Sequence, residues 1–237
     1  MLAPPPLSVY SKLLEAFGPQ GWWPVSVSAR GGPVYRPGFK GRLSERQRAE
    51  ICVGAILTQN TNWNNVVRSL LRLKSAGMLE LERLSAAPSG RLQSLVRSSG
   101  YFRQKARKLK IFAGHAKKRG RLSRWLCQPM DILRGELLGL WGIGPETADS
   151  ILLYAGGHPI FVIDAYTLRI GSRLGWFRKP GYERAQRLLS RELPRSAELY
   201  AEFHALLVQL AKRHCRAVPS CQGCPLIANC RYGSRQG

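Results

Sequence analysis

Acidic residues are scarce in this chain: 14 Asp and Glu stand against 37 Lys and Arg in 237 residues, for a formal net charge of +23. Long apolar runs are missing as well. Stretches such as Ile151 to Ala155 fall far short of the ~18 residues a membrane-spanning helix needs, so no span is expected. The first ten residues hold three prolines and no basic-then-apolar leader pattern, which sets the expectation of a cytosolic chain in which disulfides are disfavoured. Strand-period alternation and internal repeats at a fixed period are lacking too, and with them the signals for sheet and solenoid architectures. What remains is 44% apolar residues in a length that suits one large domain or two small ones, enough to bury a core. The excess positive charge is compatible with a nucleic-acid surface, an anionic membrane surface, a ribosomal location or a merely solvated basic face. Its spread from Arg30 to Arg235, rather than along one helix, favours a long polyanion such as DNA.

The apolar spacing is helical throughout and predicts an all-α fold. From Ser44 it runs through Ile51, Ile56, Val66, Leu70 and Leu73 to a stop at Gly77. A short helix around Leu92 to Val96 ends at Ser98, Ser99 and Gly100, and a basic helix containing Ala106, Leu109 and Phe112 ends at Gly120. Asp131 is placed to cap a helix reaching Leu140, Gly142 and Gly144 break it, and Thr147 to Ala155 make the next. Helices over 182–193 and 196–214 flank Pro194. Residues 26–43, rich in Gly and Pro, are the one evident loop, made basic by Arg30, Arg36, Lys40 and Arg42.

Six cysteines are present. Cys52 and Cys127 stand alone, whereas Cys215, Cys221, Cys224 and Cys230 fall within sixteen residues after a helix. Crowded thiolates repel one another and lose hydration, so four this close call for a shared cation or pairwise oxidation. Zinc sites usually draw on two Cys-x2-Cys knuckles and only one pair has that spacing here, while a cubane iron–sulfur cluster takes one cysteine per iron from a wrapped loop, with a proline beside a ligand, as Pro225 is beside Cys224. The cluster is favoured over zinc and over disulfides. Its role need be no more than stapling a loop that presents Arg213, Arg216 and Arg231 to a phosphate backbone.

Leu140 to Ala148 joins two helices through Gly142 and Gly144. Such glycines permit positive φ and close approach of another chain, Ile143 is placed to anchor the turn in the core, and the amides opening the next helix are free to hold a phosphate oxygen. Twenty residues beyond Gly144, Asp164 follows the apolar run Phe161 to Ile163 and precedes a helix. It suits an N-cap. In a chain with so few acids, it equally suits a charge meant for a developing cation.

Leu140 to Ala148, Asp164 and the four-cysteine loop together resemble the helix-hairpin-helix glycosylases of the endonuclease III superfamily, and Ile56-Leu57-Thr58-Gln59-Asn60-Thr61 is similar to that family's lesion-loop helix. The resemblance spans about Leu13 to Cys230. It implies a two-domain helix-hairpin-helix fold: a six-helix barrel over 42–155, and a second helical domain from 1–41 and 156–237 carrying a [4Fe-4S] cluster on Cys215, Cys221, Cys224 and Cys230, with the DNA cleft between them. It further implies a monomer acting on double-stranded DNA that contains damaged bases, away from any membrane. Gln59 would fill the space of an everted base and Tyr101 would wedge beside it, while Gly142, Ile143, Gly144, Glu146 and Thr147 would form the DNA-gripping hairpin.

Three features depart from the family pattern. Bifunctional members carry a lysine two residues after the second hairpin glycine, which attacks the sugar as a Schiff-base nucleophile. Here that position is Glu146, and a carboxylate forms no imine. The first cysteine gap is one residue shorter than usual, and the basic loop 26–43 is additional. Gly144 to Asp149, Gln59-Asn60-Thr61 and Trp22-Trp23-Pro24 look most like the endonuclease III-related branch that includes 3-methyladenine glycosylases. Alkylated purines leave readily as neutral bases, so Asp164 alone could stabilise the oxocarbenium-like sugar and orient water, and Trp22, Trp23 and Trp63 could stack on the cationic base or simply pack in the core. The expectation is therefore a base-excision glycosylase that hydrolyses the N-glycosidic bond with little or no AP-lyase activity. The alternatives are a bifunctional oxidised-pyrimidine glycosylase/AP lyase using a displaced lysine, and a non-catalytic DNA-damage-binding protein.

Overall fold

The computed structural model describes residues 2–28, 31–39 and 41–235, so Arg30 and Lys40 of the basic loop lie outside the described residues. The helices are α1 (Pro6–Phe17), α2 (Glu45–Thr58), α3 (Trp63–Ser75), α4 (Leu81–Ala86), α5 (Ser89–Leu95), α6 (Phe102–Lys118), α7 (Leu122–Trp125), α8 (Met130–Leu138), α9 (Pro145–Ser150), α10 (Ala165–Leu174), α11 (Tyr182–Arg191) and α12 (Ala197–Arg213). Among the described residues the strands are β1 (Val25–Ser26) and β2 (Pro33–Val34), paired antiparallel inside the basic loop. The chain divides into two compact units, Met1–Trp22 with Arg36–Phe39 and Pro159–Gly237, and Trp23–Tyr35 with Lys40–His158.

In the second of these, α2 is the axis. Nine consecutive residues, Ala49 to Leu57, are buried, a pattern possible only for a helix wrapped on every side, here by α3, α6, α7, α9 and β1. Ser44 begins it with a capping box: its Oγ accepts from the Gln47 N–H at 3.3 Å and its own N–H donates to Gln47 Oε1 at 3.0 Å. The helix buries Glu50, and the loop supplies the remedy. Ser26 N–H lies 3.1 and 3.2 Å from the two carboxyl oxygens and Ser26 Oγ lies 2.9 Å from Oε1. Burial still leaves the Glu50 carboxyl above its usual range, against the pull of those donors. This contact sets β1 beside α2, and Trp23–Tyr35 groups with the unit that holds α2, where the sequence grouped all of 1–41 with residues 156–237.

The apolar spacing predicts one helix from Ser44 to Gly77, but the chain breaks at residues 59–62. Asn60 takes a left-handed φ of +51°, and Asn62 caps α3 by accepting the Asn65 N–H at 3.0 Å. Asn tolerates that conformation and competes with the helix for backbone hydrogen bonds, which ends α2 without interrupting the apolar spacing on either side. Asp131 sits in the first turn of α8, whose cap is Pro129. The helix expected from Thr147 starts instead at Pro145, a residue preorganised for the first helical position, and widens into a π-helix over Ile151–Gly156 whose Ala155 carbonyl accepts from Arg48.

The cysteine-bearing unit packs α12 against α1 and α10. Its core is an aromatic cluster in which Phe161 meets Tyr200 and Phe203 edge-on at 5.4 and 5.7 Å, and Trp176 donates from Nε1 to the Pro4 carbonyl at 2.7 Å, tying down the N-terminal segment.

Candidate functional site

The turn after α2 and the hairpin between α8 and α9 meet through one side chain. Gln59 Nε2 donates to the Gly142 carbonyl at 3.1 Å and to Thr147 Oγ1 at 2.8 Å, and Gln59 Oε1 accepts from Lys108 of α6. The sequence placed Gln59, Gly142 and Thr147 in one interface, and the fold brings them into contact. Ile143 anchors the hairpin at 5% exposure while Gly142, Gly144 and Glu146 face out.

The two glycines do different work. Gly142 has φ +81°, and a Cβ there would lie 2.4 Å from Lys108 Cε. Gly144 has φ −94° and ψ 178°, an extended conformation open to any residue, and a Cβ there would meet no heavy atom within 4 Å. The expectation that both glycines serve positive φ therefore holds for Gly142 alone. Exposed Glu146 occupies the first turn of α9, where a carboxylate complements the helix dipole. Tyr101, 66% exposed, sits before α6 at φ +44° and ψ 34°, a costly conformation for a tyrosine.

In the other unit Asp164 is the N-cap of α10. Its Oδ1 accepts from the Thr167 N–H at 2.7 Å and from Thr167 Oγ1 at 2.8 Å, while Oδ2 lies 3.5 Å from His204 Nε2 on α12. Desolvation pushes this carboxyl up, but the His204 hydrogen bond and charge and the two Thr167 donors outweigh it and hold it below its usual range. It is ionised near neutral pH. Its side chain keeps 12% of its surface while it caps the helix.

α10 also fastens the cysteine loop. Arg173 Nη1 donates to Cys215 Sγ at 3.1 Å and to the Arg216 carbonyl at 2.6 Å, Nη2 donates to the Ala217 carbonyl at 2.8 Å, and Arg169 Nε donates to the Cys215 carbonyl at 2.8 Å. Leu226 is the buried apolar residue of this segment, which otherwise offers little core. Burial raises the Cys224 thiol, and the charges of Cys215, Cys230 and Cys221 raise it further, so the four sulfurs feel one another. Among the described residues, no three His, Cys, Asp or Glu side chains converge on one metal ion. A mutually repelling set of four thiols beside a guanidinium is a donor set suited to a multinuclear cation that takes one sulfur per metal.

Half-buried Trp23 and Trp63 form an aromatic group with buried Tyr154, with Trp23 5.5 Å from Trp63 edge-on and 5.3 Å from Tyr154, packed so close over Gly54 that a Cβ there would lie 3.1 Å from Trp23 Cζ2. Three side chains escaped the sequence reading: His204, Lys105 and Lys108. Each sits in an ordinary helical pattern, and its contact with a residue 40 or more positions away, Asp164, Leu57 and Gln59 respectively, is not legible there.

Comparison with known proteins agrees with this geometry. The HhH-GPD superfamily, described as base excision DNA repair protein, matches residues 53–195. A protein of Methanocaldococcus jannaschii named as a DNA repair glycosylase is 37% identical over 226 residues, covering 94% of each chain. Endonuclease III of Thermotoga maritima is 27% identical over 200 residues, covering 84% of this chain and 90% of its own. Among solved structures, 3-methyladenine DNA glycosylase of H. pylori bound to 1,N6-ethenoadenine superposes with a TM-score of 0.71 at 26% identity, covering 89% of this chain and 98% of that one. A non-covalent endonuclease III–DNA complex shares the fold, with a TM-score of 0.74 at 22% identity over 97% of this chain and 95% of that one.

Proposed function

Because the chain belongs to the HhH-GPD superfamily of base excision DNA repair proteins and is a base-excision DNA glycosylase of that family, we propose that it hydrolyses the N-glycosidic bond of a damaged base in double-stranded DNA without cleaving the strand. The observation that carries the monofunctional part is Glu146. At the position where an imine-forming amine belongs, the side chain is a carboxylate, which has no nitrogen to attack C1′ of the sugar.

Hydrolysis then falls to Asp164. An ionised carboxylate opposes positive charge building on the deoxyribose as the base departs, and one of its oxygens is available to orient the incoming water. A base that already carries positive charge, such as an alkylated purine, needs no acid to leave, so one carboxylate suffices for that lesion class. Half-buried Trp23 and Trp63 offer π faces attractive to such a cation. The 3-methyladenine glycosylase likeness supports the same choice.

The hairpin holds DNA by its backbone. Gly144 leaves its surroundings clear of side-chain atoms, and the amides opening α9 are donors for a phosphate oxygen. Gln59 and Tyr101 serve the eversion of the base, the first by occupying the vacated space and the second by wedging into the stack. We assign Cys215, Cys221, Cys224 and Cys230 to a [4Fe-4S] cluster, which supplies a cross-link for a loop with almost no core of its own. Arg173 and Arg169 orient that loop.

A second reading has one observation in its favour. The Lys108 stem lies against Gly142, and burial lowers its pKa, as a displaced Schiff-base lysine would require. Borohydride trapping on an abasic duplex, run beside a panel of lesion duplexes assayed with and without alkaline scission, decides. The monofunctional proposal expects base release, strand breaks only after alkali, and no covalent adduct. An adduct that disappears in Lys108→Gln would overturn it.

A further inference from the structure

The Lys105 side chain is 1% exposed, and its ammonium donates to two main-chain carbonyls, Leu57 O at 2.8 Å and Ser99 O at 2.5 Å. Both carbonyls end helical segments and have no partner within them. Leu57 lies in the last turn of α2, and Ser99 closes the 3-10 turn Arg97–Ser99. Two residues beyond Leu57 stands Gln59. Two residues beyond Ser99 stands Tyr101. The backbone just past each anchored carbonyl is left-handed at a residue with a side chain, Asn60 at φ +51° and Tyr101 at φ +44°, two of the three such residues among those described. Asn60 accepts a left-handed backbone readily, but for Tyr101 it is strained, and such strain persists only where neighbouring structure over-determines it.

We propose that Lys105 is a positioning residue for base eversion, its buried ammonium clamping the ends of α2 and the 97–99 turn so that Gln59 and Tyr101 are presented to DNA as one preorganised tool. The proposal rests on the glycosylase reading for the roles of Gln59 and Tyr101. The distances, the burial and the strained backbone belong to the fold. An ammonium suits the task because three donors on one nitrogen can hold two carbonyls of different segments at once, which no neutral apolar core residue does. The clamp is also titratable. Burial lowers the Lys105 pKa to about 8, assisted by the neighbouring charge of Lys108 on α6, while α2 and the 97–99 turn face it with carbonyls.

The test separates presentation of the tool from chemistry and from folding. The full chain and its Lys105→Met and Lys105→Arg variants are given one lesion in two settings: paired within a duplex, and in a single strand where nothing must be unstacked. A paired base must be unstacked and unpaired and a single-stranded one need not be, so Lys105→Met should slow single-turnover release from the duplex about tenfold or more and release from the single strand by under about threefold. Lys105→Arg, which keeps the charge, should recover most of the difference. In the wild type the duplex-to-single-strand ratio should fall between pH 7 and pH 9, and in Lys105→Arg it should not. Equal losses in the two settings, or a ratio indifferent to pH, overturn the clamp, and the pH arm decides even if Lys105→Met fails to fold. Fluorescence of 2-aminopurine at the target position reports unstacking without base release. Unstacking that depends on Lys105, with no release from any lesion, would keep the clamp and refute the glycosidic chemistry.

Discussion

His204 Nε2 lies 3.5 Å from Asp164 Oδ2, the carboxylate oxygen left over when Thr167 has taken Oδ1 for the cap of α10. One carboxylate thus serves two structural partners, Thr167 and His204, and still keeps a little open surface, which sets how its removal should read.

Asp164→Asn retains an oxygen that accepts the Thr167 N–H, so the cap and the melting temperature should change little. The negative charge is gone, however, and base release should fall by roughly 10²–10³-fold with DNA affinity unchanged. Single-turnover release and a binding titration on the same duplex check this. Release at the wild-type rate would remove Asp164 from the chemistry.

The pH dependence has a definite sign. The Asp164 carboxyl titrates below its usual range when folded, so its contribution to stability is complete above the ordinary carboxylate value and is lost as pH falls through the lower folded value. Chemistry that needs the ionised form should therefore persist into mildly acidic solution. His204→Ala removes the strongest influence holding that pKa down, and the acid limb of the rate profile should shift to higher pH. A limb that stays in place shows that the pair does not govern the titration.

At the hairpin, Gly142→Ala and Gly144→Ala should part company. The first places a Cβ at φ +81° against Lys108 and should cost about 1–3 kcal/mol in denaturant unfolding. The second enters open space in an extended conformation, so stability should hold while DNA affinity drops and the salt slope of binding shrinks toward one contact fewer, about 0.9.

Glu146→Lys tests the departure that defines the proposal. The position is exposed in the first turn of α9, so the swap should cost only about 0.3–1 kcal/mol through the helix dipole. It should also confer a borohydride-trapped adduct on abasic DNA that the wild type lacks.

Cys224→Ser should lower the iron content from about four per chain and bleach the visible absorbance of the purified protein. The melting temperature should fall with it, since the loop has little else to hold it. Full iron loading in the variant would remove Cys224 from the ligand set.

Much of the candidate site was legible because its chemistry is local in sequence. A hairpin must spend its glycines within a few residues, four cysteines within sixteen residues are conspicuous, and a lone acid after an apolar run stands out where acids are few. Even the break between α2 and α3 left a trace in the polar stretch Gln59 to Asn62, although the apolar spacing on both sides concealed it. The start of α9 at Pro145 rather than Thr147 is similarly explicable from proline alone.

The sequence by itself determined the helical class and the family, and it marked 142–147, 164 and 215–230 as the candidate positions, because periodicity and motif spacing are properties of short stretches. Tertiary structure alone decided that Glu50 draws Ser26 onto α2, that Gln59 reaches the hairpin, that His204 faces Asp164 and that Lys105 joins two segments. Glu50, His204 and Lys105 are polar groups carried into the interior by helices whose apolar pattern never required them, and Gln59 stands in the turn just after one. The partner of each is whichever distant donor or acceptor the packing brings within 3.5 Å, and no local rule of spacing encodes that meeting.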